Sequence, residues 1–293
     1  MFDLSVITVT WNSAKLIGEQ ILSVRSGCEK ISCEQIIADN ASTDDTVKVV
    51  EDVQKDLSSS EYNGVKLIKN EKNSGFGGAN NQAAKLASGE FFLFLNPDMR
   101  VEKLSLDKMV EWMRSHPDVG LAGCKLVDEN GKINEDAAPR RLPGILDQAA
   151  IILKLHHIFP FVLNRYLYKG FDFNKEQEVD SIRGSFMIMR REIYDRLGWA
   201  FDPRYFIWFE DVDLCREIKR LGFKVMRTPI VSCVDYVGQS FKQRTTLWKQ
   251  KQFTKSMLQY FQKWEPAWKC LVISVLKPIG IAMARASETF NKK

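Results

Sequence analysis

The sequence predicts an α/β fold in which parallel strands alternate with helices. Several short apolar runs, rich in β-branched and aromatic residues, alternate with helical stretches, and polar residues follow directly after several of these runs. Alternating strands and helices form a parallel sheet covered by helices on both faces, and such sheets bind ligands beyond the carboxyl ends of their strands. Of the 293 residues, 45% are apolar and 27% are charged. This ordinary mix excludes a disordered chain, a collagen-like fibre and a disulfide-dense miniprotein.

The first strands of this sheet are predicted in the N-terminal third of the chain. Leu4–Thr10 is an apolar, β-branched run, typical of a strand buried on both faces. Ser13 is expected to cap a helix that runs to about Arg25. Short strands are predicted at Gln35–Ala38 and Val65–Lys69. These segments supply the first three strands and the first helix.

Further helices and strands follow the same pattern. Ser42 or Thr43 can cap a second helix, and a glycine-rich loop leads into a third helix over about residues 79–86. Phe91–Leu95 is predicted as a fourth buried strand. The less regular second half is predicted to contain a hairpin turn at Asp128–Gly131, a strand at Ser185–Met189 and a helix at Glu210–Leu221.

Two polar segments follow predicted strands. Asp39 opens an Asn/Ser/Thr-rich turn, where a carboxylate can accept hydrogen bonds from a nucleoside or can belong to a helix-capping turn. The three glycines of Asn73–Gly78 let the backbone approach a ligand closely, although the same loop can simply need positive φ angles. It is neither a Walker A loop nor a dinucleotide fingerprint, because no Gly-Lys-Ser/Thr follows and it does not follow the first strand.

Two acidic segments are candidates for metal binding and proton transfer. Asp98, at the end of the fourth strand, can hold Mg²⁺ or Mn²⁺ or be a solvated residue of an Asn-Pro turn. Glu210, Asp211 and Asp213 lie beside aromatic residues, and crowded carboxylates in an apolar setting raise one another's pKa. One of them can then act as a general base, or all three can form an acidic first helical turn.

The cysteines and histidines restrict the chemistry and the compartment. The six cysteines contain no CxxC pair, which favours reduced, buried thiols in a cytosolic protein. The three histidines make a multi-histidine metal site improbable. The N-terminus has no basic region followed by a cleavable apolar run, so no signal peptide is expected.

The charge is unevenly distributed along the chain. The net charge of +5 divides into −4 for residues 1–240 and +9 for residues 241–293, which contain eleven basic and two acidic residues. Such a tail suggests an anionic partner, either lipid or nucleic acid. Its longest apolar stretch, Cys270–Ala284, contains Lys277 and Pro278 and falls short of the ~20 apolar residues of a spanning helix.

Read in order, the motifs resemble a known family. The series VITVTWNS, DNASTDDT, NSGFGGANN, LNPDM, RGSFMIMRR, FEDVDLC and VGQS is similar to the inverting nucleotide-sugar glycosyltransferases of family 2, in particular their rhamnosyltransferase-like branch. The resemblance covers about residues 4–240. It implies a GT-A (Rossmann-like) fold with a mixed central sheet over residues 1–240. Residues 241–293 would then form a basic, aromatic and amphipathic helical extension.

The resemblance also implies roles for individual residues. Asp98 matches the second aspartate of the metal-binding DxD motif, with Asn96 at the first position. Asp235 stands where the branch usually has a histidine, so it can replace a metal ligand or mark a weakened enzyme. Contacts to the donor nucleotide sugar are implied for Thr8, Thr10, Asn12, Asp39, Asn73, Gly75, Asn80 and Asn96.

The implied reaction is a single displacement with inversion. Asp211 would take the proton of the acceptor hydroxyl, with Glu210 and Asp213 in support, while Mg²⁺ or Mn²⁺ stabilises the leaving diphosphate. The donor would be a dTDP- or UDP-linked sugar, with L-rhamnose expected and galactofuranose, glucose, galactose or N-acetylglucosamine as alternatives. The acceptor would be a lipid-linked saccharide in surface polysaccharide or cell wall synthesis.

The tail and the apolar segment Ile145–Tyr168 are interpreted as membrane-facing. Basic residues interleaved with aromatics suit an anionic membrane, here the cytoplasmic face of the inner membrane, and nucleic acid is not the expected partner. Alternatively, both segments pack as core or as homodimer contacts. A further alternative, based on Asp235, is a catalytically silent nucleotide-sugar-binding partner.

Overall fold

One mixed β-sheet forms the centre of the molecule in a computed structural model that describes residues 1–58, 64–236 and 244–290. The strands are β1 (Leu4–Thr10), β2 (Cys33–Asp39), β3 (Val65–Lys69), β4 (Phe91–Leu95), β5 (Met99–Val101), β6 (Val119–Val127), β7 (Gln177–Glu178), β8 (Phe186–Arg190) and β9 (Lys224–Asp235). Their order is β3-β2-β1-β4-β8-β6-β9-β5, and β7 pairs with β9 outside this path. The mixed sheet confirms the predicted fold class.

The first half of the sheet is parallel. β1 pairs with β2 and β4, and β2 pairs with β3, all in parallel. Their carboxyl ends therefore share one edge, where Thr10 lies in register with Asp39. The predicted bounds of β1, β3 and β4 are confirmed, and β2 extends the predicted strand at both ends.

The second half of the sheet brings antiparallel pairs. β8 lies antiparallel between β4 and β6, and β9 runs parallel to β6. The short strand β5 pairs antiparallel with the end of β9, so that Met99 lies opposite Asp235. This pairing brings the segment after β4 and the end of β9 to the same edge of the sheet.

Helices cover both faces of the sheet. They are α1 (Ile17–Gly27), α2 (Thr46–Ser58), α3 (Gly75–Ala84), α4 (Ser105–Ser115), α5 (Ile145–Ile152), α6 (Arg191–Leu197), α7 (Glu210–Arg220), α8 (Thr246–Trp264) and α9 (Ala267–Phe290). Alternate residues of β4 face opposite cores: Phe91, Leu93 and Leu95 lie in one apolar cluster, and Phe92 and Phe94 lie in the other.

Three predicted helix starts were wrong. Ser13 precedes α1 in a turn, where its carbonyl accepts the backbone N–H groups of Leu16 and Ile17. Ser42 and Thr43 do not cap α2, because Asp44 Oδ1 accepts the backbone N–H of Thr46 at 3.1 Å. The glycine-rich loop is itself helical from Gly75, so α3 begins four residues before the predicted position.

The C-terminal helices pack against the sheet domain. Met257, Tyr260 and Phe261 of α8 are buried in a cluster with Tyr205 and Phe209. The apolar residues on this face of α8 are therefore core residues. The division into residues 1–240 and 241–293 stays a prediction. The buried contacts show that α8 shares an apolar core with residues before position 240.

The expectation that the apolar tail is too short to span a membrane was wrong. Lys277 and Pro278 lie inside α9 without ending it. Within the described part of the chain, residues Ala267–Thr289 form the one helix whose length and composition suffice to cross a membrane, with 17% of its most apolar stretch buried. All six cysteines are free thiols.

Candidate active site

A cavity of about 310 Å³ opens at the carboxyl edge of the sheet. Seven residues predicted for the site line it: Asn73, Gly75, Asn96, Asp98, Glu210, Asp211 and Asp235. The sheet brings them together from four segments of the chain, because β4, β5 and β9 converge where α3 and α7 begin. The cavity combines carboxylates, amides and aromatic rings, as a site for a polar ligand with a flat group requires.

Two residues predicted to contact the donor do not line this cavity. The Thr8 side chain is fully buried, and its hydroxyl accepts a hydrogen bond from Gln20 Nε2 at 2.9 Å. Asn80 is buried within α3 and donates to the carbonyl oxygen of Phe76 at 2.9 Å. Neither side chain lines the cavity, so both support the fold from within.

Thr10, Asn12 and Asp39 shape the rim beside the cavity. Asp39 accepts hydrogen bonds from the Thr10 hydroxyl at 2.8 Å and from the backbone N–H of Ser42 at 2.9 Å. Asn12 Oδ1 accepts from the backbone N–H of Thr43 at 2.8 Å. These bonds join the turns after β1 and β2. The nucleotide contacts expected of the three residues stay predictions.

The glycine-rich loop is fixed by a close approach to the segment before α7. Gly75 has φ +83°, and a Cβ atom there would lie 2.3 Å from the carbonyl oxygen of Phe206. That same oxygen accepts the backbone N–H of Phe76 at 2.8 Å. Asn40, which the sequence did not single out beyond its motif, donates to the carbonyl of Gly75 and accepts from the backbone N–H of Ser74. Only glycine fits this backbone.

The acidic pair begins helix α7 at the cavity. The two residues before it, Trp208 and Phe209, have φ values of +65° and +69°, which bulky residues adopt only under strain. This turn presents Glu210 and Asp211 to the cavity. Asp211 Oδ2 accepts the backbone N–H of Gly184 at 3.2 Å, and its Oδ1 accepts that of Val212 at 2.8 Å.

Burial changes the acidity of the pair. Burial, together with the neighbouring charge of Asp211, raises the pKa of Glu210 well above its usual range. Burial also raises the pKa of Asp211, while hydrogen bonds from Val212 and Gly184 and the charge of Arg183 oppose the shift. Glu210 Oε2 accepts no hydrogen bond from the residues that the structure describes. Glu210 therefore holds a proton more readily than Asp211, which is the better proton acceptor of the two.

The sequence suggested that Asp213 supports this pair, but its side chain does not line the cavity. Its carboxylate is fully buried and accepts hydrogen bonds from Lys263 Nζ at 2.7 Å and from Trp264 Nε1 at 2.6 Å. The same Lys263 Nζ lies 2.9 Å from Asp202 and 2.8 Å from Glu217. Asp213 therefore joins helix α7 to helix α8.

Asp98, directly before β5, and Asp235, at the end of β9, both line the cavity. The backbone N–H of Tyr236 donates to the carbonyl of Asp98 at 3.1 Å, and Arg183 lies 3.8 Å from Asp235. No group of three or more His, Cys, Asp or Glu residues that could by itself hold a metal ion occurs in ranges 1–58, 64–236 and 244–290. Two carboxylates suit a Mg²⁺ or Mn²⁺ ion whose other ligands are phosphate oxygens and water. The residues present thus fit a cation bound together with a diphosphate.

Sequence reasoning missed the arginine and tryptophan residues of the cavity. Trp11, Arg183, Trp208, Arg244 and Trp248 line it. The tryptophan directly after β1 was the available signal, whereas Arg244 and Trp248 belong to the segment interpreted as membrane-facing. The whole motif VGQS, residues 237–240, lies outside the described ranges.

Comparisons with known proteins identify relatives of this chain. Residues 5–198 match Glycosyl transferase family 2. The N-acetylglucosaminyl-diphospho-decaprenol L-rhamnosyltransferase of Mycobacterium tuberculosis is 25% identical over 249 residues, which cover 81% of this chain and 77% of that protein. The O-antigen biosynthesis protein RfbC of Myxococcus xanthus is 32% identical over 151 residues, 51% of this chain and 11% of the relative. This chain therefore spans about a tenth of that longer protein.

Solved structures show the same architecture. The mannosyltransferase PcManGT from Pyrobaculum calidifontis, in complex with GDP-Man and Mn²⁺, has a TM-score of 0.59 and 20% identity, covering 97% of this chain and 73% of its own. At this identity the likeness shows the fold, which confirms the glycosyltransferase architecture predicted from the motifs. Since the family match covers residues 5–198 of 293, the chain belongs to glycosyl transferase family 2.

Proposed function

We propose that this protein transfers a sugar from a nucleoside-diphosphate sugar to a lipid-linked saccharide, with inversion at the anomeric carbon. The observation that carries the proposal is a single cavity that places the Asp211 carboxylate together with the carboxylates of Asp98 and Asp235. The first group can accept a proton, and the other two can hold a cation against a leaving diphosphate.

In the proposed reaction the acceptor hydroxyl oxygen forms a bond to the anomeric carbon while the bond from that carbon to the diphosphate oxygen breaks. The proton of the hydroxyl passes to Asp211, whose carboxylate is oriented by the backbone N–H groups of Gly184 and Val212. The diphosphate leaves with the electron pair of the broken bond. A cation held by Asp98 and Asp235 would supply positive charge to this leaving group.

L-rhamnose is the proposed donor sugar, carried on dTDP or UDP. The support is the resemblance to the rhamnosyltransferase-like branch and the relative from M. tuberculosis, whose name specifies an L-rhamnosyltransferase. Its name also specifies a diphospho-decaprenol carrier, which supports a lipid-linked acceptor. The alternative donors are galactofuranose, glucose, galactose and N-acetylglucosamine.

A donor screen with the purified protein tests the proposal. dTDP-rhamnose and the alternative sugar nucleotides are each incubated with Mg²⁺ or Mn²⁺ and a lipid-linked N-acetylglucosamine acceptor. We expect release of the nucleoside diphosphate with one donor and a product of inverted configuration by NMR. Retention of configuration would overturn the displacement through Asp211. Absence of turnover with every donor, combined with a gain of turnover in Asp235→His, would favour the silent binding partner.

We further propose that the protein associates peripherally with an anionic membrane at the cytoplasmic face. Leu271 and Val275 of helix α9 are 65% and 58% exposed, and Ile158 and Phe161 after α5 are 70% and 67% exposed. Helix α9 packs on α5, which brings both apolar segments into one region. Residues 148–171 contain no Asp or Glu but several Lys, Arg and His residues, which suits anionic lipid. Homodimer formation through the same surface is the alternative.

A further inference from the structure

The cavity contains more carboxyl groups than guanidinium groups. Its carboxylates belong to Asp98, Glu210, Asp211 and Asp235, and its guanidinium groups, as far as the described residues go, belong to Arg183 and Arg244. A diphosphate entering such a site is repelled by the ionised carboxylates. Its binding therefore requires positive charge from the protein in addition to a bound cation.

The two arginines differ in their partners. Arg183 lies 3.8 Å from Asp235 and is thus partly neutralised. The guanidinium carbon of Arg244 lies 3.9 Å from the ring centre of Trp11 and 4.8 Å from that of Trp248. Within ranges 1–58, 64–236 and 244–290, no carboxylate forms an ion pair with Arg244. Stacking engages the faces of a guanidinium and leaves the N–H groups at its edge able to bind an anion.

The surroundings fix Arg244 at one end of the cavity. Trp11 follows β1 directly, beside the rim formed by Thr10 and Asp39. On the other side, the Thr245 hydroxyl caps helix α8 by accepting the backbone N–H of Trp248 at 3.2 Å. Arg244 immediately precedes this cap. The first turn of the C-terminal segment therefore closes one wall of the cavity.

We propose that Arg244, held between Trp11 and Trp248, binds the diphosphate of the donor nucleotide. The inference rests on the proposed function, because the anion is the diphosphate of that donor. A guanidinium can bond two phosphate oxygens at once, which gives both charge and orientation. The C-terminal segment then contributes a donor-binding residue and cannot be regarded as a membrane anchor alone.

Calorimetric titrations separate the diphosphate from the nucleoside. UDP, dTDP, uridine and thymidine are titrated, with Mg²⁺ present, into the wild type, Arg244→Gln and the control Lys251→Gln. The control removes an exposed positive charge from helix α8, which Arg244 precedes. We expect Arg244→Gln to bind the preferred nucleoside diphosphate about 10- to 100-fold more weakly, as for a lost hydrogen bond to a charged group. Binding of the nucleoside is expected to stay unchanged, and Lys251→Gln should match the wild type throughout.

Other results would overturn the inference. If Arg244→Gln bound UDP and dTDP as the wild type does, Arg244 would not contact the diphosphate. If it bound them more tightly, Arg244 would obstruct the cavity in the wild type. An equal loss for nucleoside and nucleoside diphosphate would indicate damage to the cavity wall and would overturn a specific contact with the diphosphate. A thermal melt of Arg244→Gln and the binding of the same ligands to Arg244→Lys check for such damage. A wild type that binds none of the four ligands would instead contradict the proposed function itself.

Discussion

Lys263 Nζ of helix α8 lies 2.7 Å from Oδ2 of Asp213, two residues after the candidate base Asp211. The Asp213 side chain is fully buried, and the Lys263 side chain is 14% exposed. Burial, together with the neighbouring charge of Asp202, raises the pKa of Asp213, and the charge and hydrogen bond of Lys263 oppose this shift. The helix that presents Glu210 and Asp211 is thereby joined to the C-terminal segment.

Replacing Lys263 should destabilise the whole protein. Lys263→Met leaves the carboxylates of Asp202, Asp213 and Glu217 without their shared cation. Removing one partner of a buried pair typically costs about 3–5 kcal/mol of the free energy of unfolding. Urea unfolding measures the change, and Lys255→Met, at an exposed position of α8, is the control. Equal unfolding midpoints for the two variants would contradict a structural role for the cluster.

Asp211→Asn should strongly slow transfer while leaving donor binding intact. The amide cannot accept the proton of the acceptor hydroxyl, so we expect kcat to fall by about 10²- to 10⁴-fold. Turnover is measured with the donor found in the screen, and binding of its nucleoside diphosphate by calorimetry. The exposed Asp195→Asn is the control. Retention of more than a tenth of kcat would remove Asp211 from the role of base.

The raised pKa of Glu210 predicts a specific dependence of stability on pH. The folded state holds the Glu210 proton at pH values where the unfolded carboxyl, with its usual pKa of 4.5, has lost it. The free energy of unfolding should therefore fall as the pH rises from about 4.5 through the folded pKa. Glu210→Gln removes this titration. The free energy of unfolding of Glu210→Gln, relative to that of the wild type, should therefore rise between about pH 4.5 and the folded pKa of Glu210. The exposed Glu192→Gln provides the comparison, and identical pH profiles for both variants would disprove the shift.

Gly75→Ala should harm both stability and donor binding. The new methyl group would meet the carbonyl oxygen of Phe206 at 2.3 Å, at a φ of +83°. Gly198→Ala is the matched control, because Gly198 has φ +77° with open space around it. The control isolates the left-handed backbone cost of about 1–2 kcal/mol. We expect Gly75→Ala to melt below Gly198→Ala and to weaken nucleotide binding. Equal melting temperatures would show that the loop can move away from Phe206.

The proposed membrane surface can be tested with a single charge. Leu271→Glu places a carboxylate on the exposed face of α9. Binding to anionic phosphatidylglycerol vesicles should weaken by about tenfold or more, because the variant loses the transfer free energy of a leucine side chain. Leu22→Glu, at a 51% exposed leucine of α1, is the control. Flotation with the vesicles measures the bound fraction. Binding that is unchanged in Leu271→Glu, with a loss of dimer in sedimentation, would favour the homodimer instead.

Sequence reasoning located much of the cavity because its residues follow buried strands. Leu4–Thr10 and Phe91–Leu95 are continuous apolar runs whose bounds depend on local pattern alone, and they match the structure residue for residue. Asp98 was found for the same reason, whereas the Glu210-Asp211 pair was found because its carboxylates stand beside aromatic residues in the sequence. Thr8 was placed in the site by resemblance, and its burial depends on packing against Gln20 that no local pattern reports.

The C-terminal segment shows why the remainder was not predictable. Its basic and aromatic composition is equally compatible with a lipid surface and with packing on an acidic, aromatic partner. The partner is Asp213 with Asp202 and Glu217, distant in sequence from Lys263, so composition alone could not identify it. Arg183 was missed because an arginine after a loop carries no signal until the sheet brings it beside Asp235.

The attachment of α8 to α7 has a consequence for synthesis in the cell. A chain leaves the ribosome from its N-terminus, and the sheet strands can pair while later residues are still being added. Lys263 and Trp264 are made after the described strands of the sheet, so Asp213 gains their two hydrogen bonds only when they arrive. A nascent chain would also lack the part of the cavity wall that Arg244 and Trp248 form until α8 has emerged. Translation itself would then delay activity until the segment proposed to meet the membrane is almost complete.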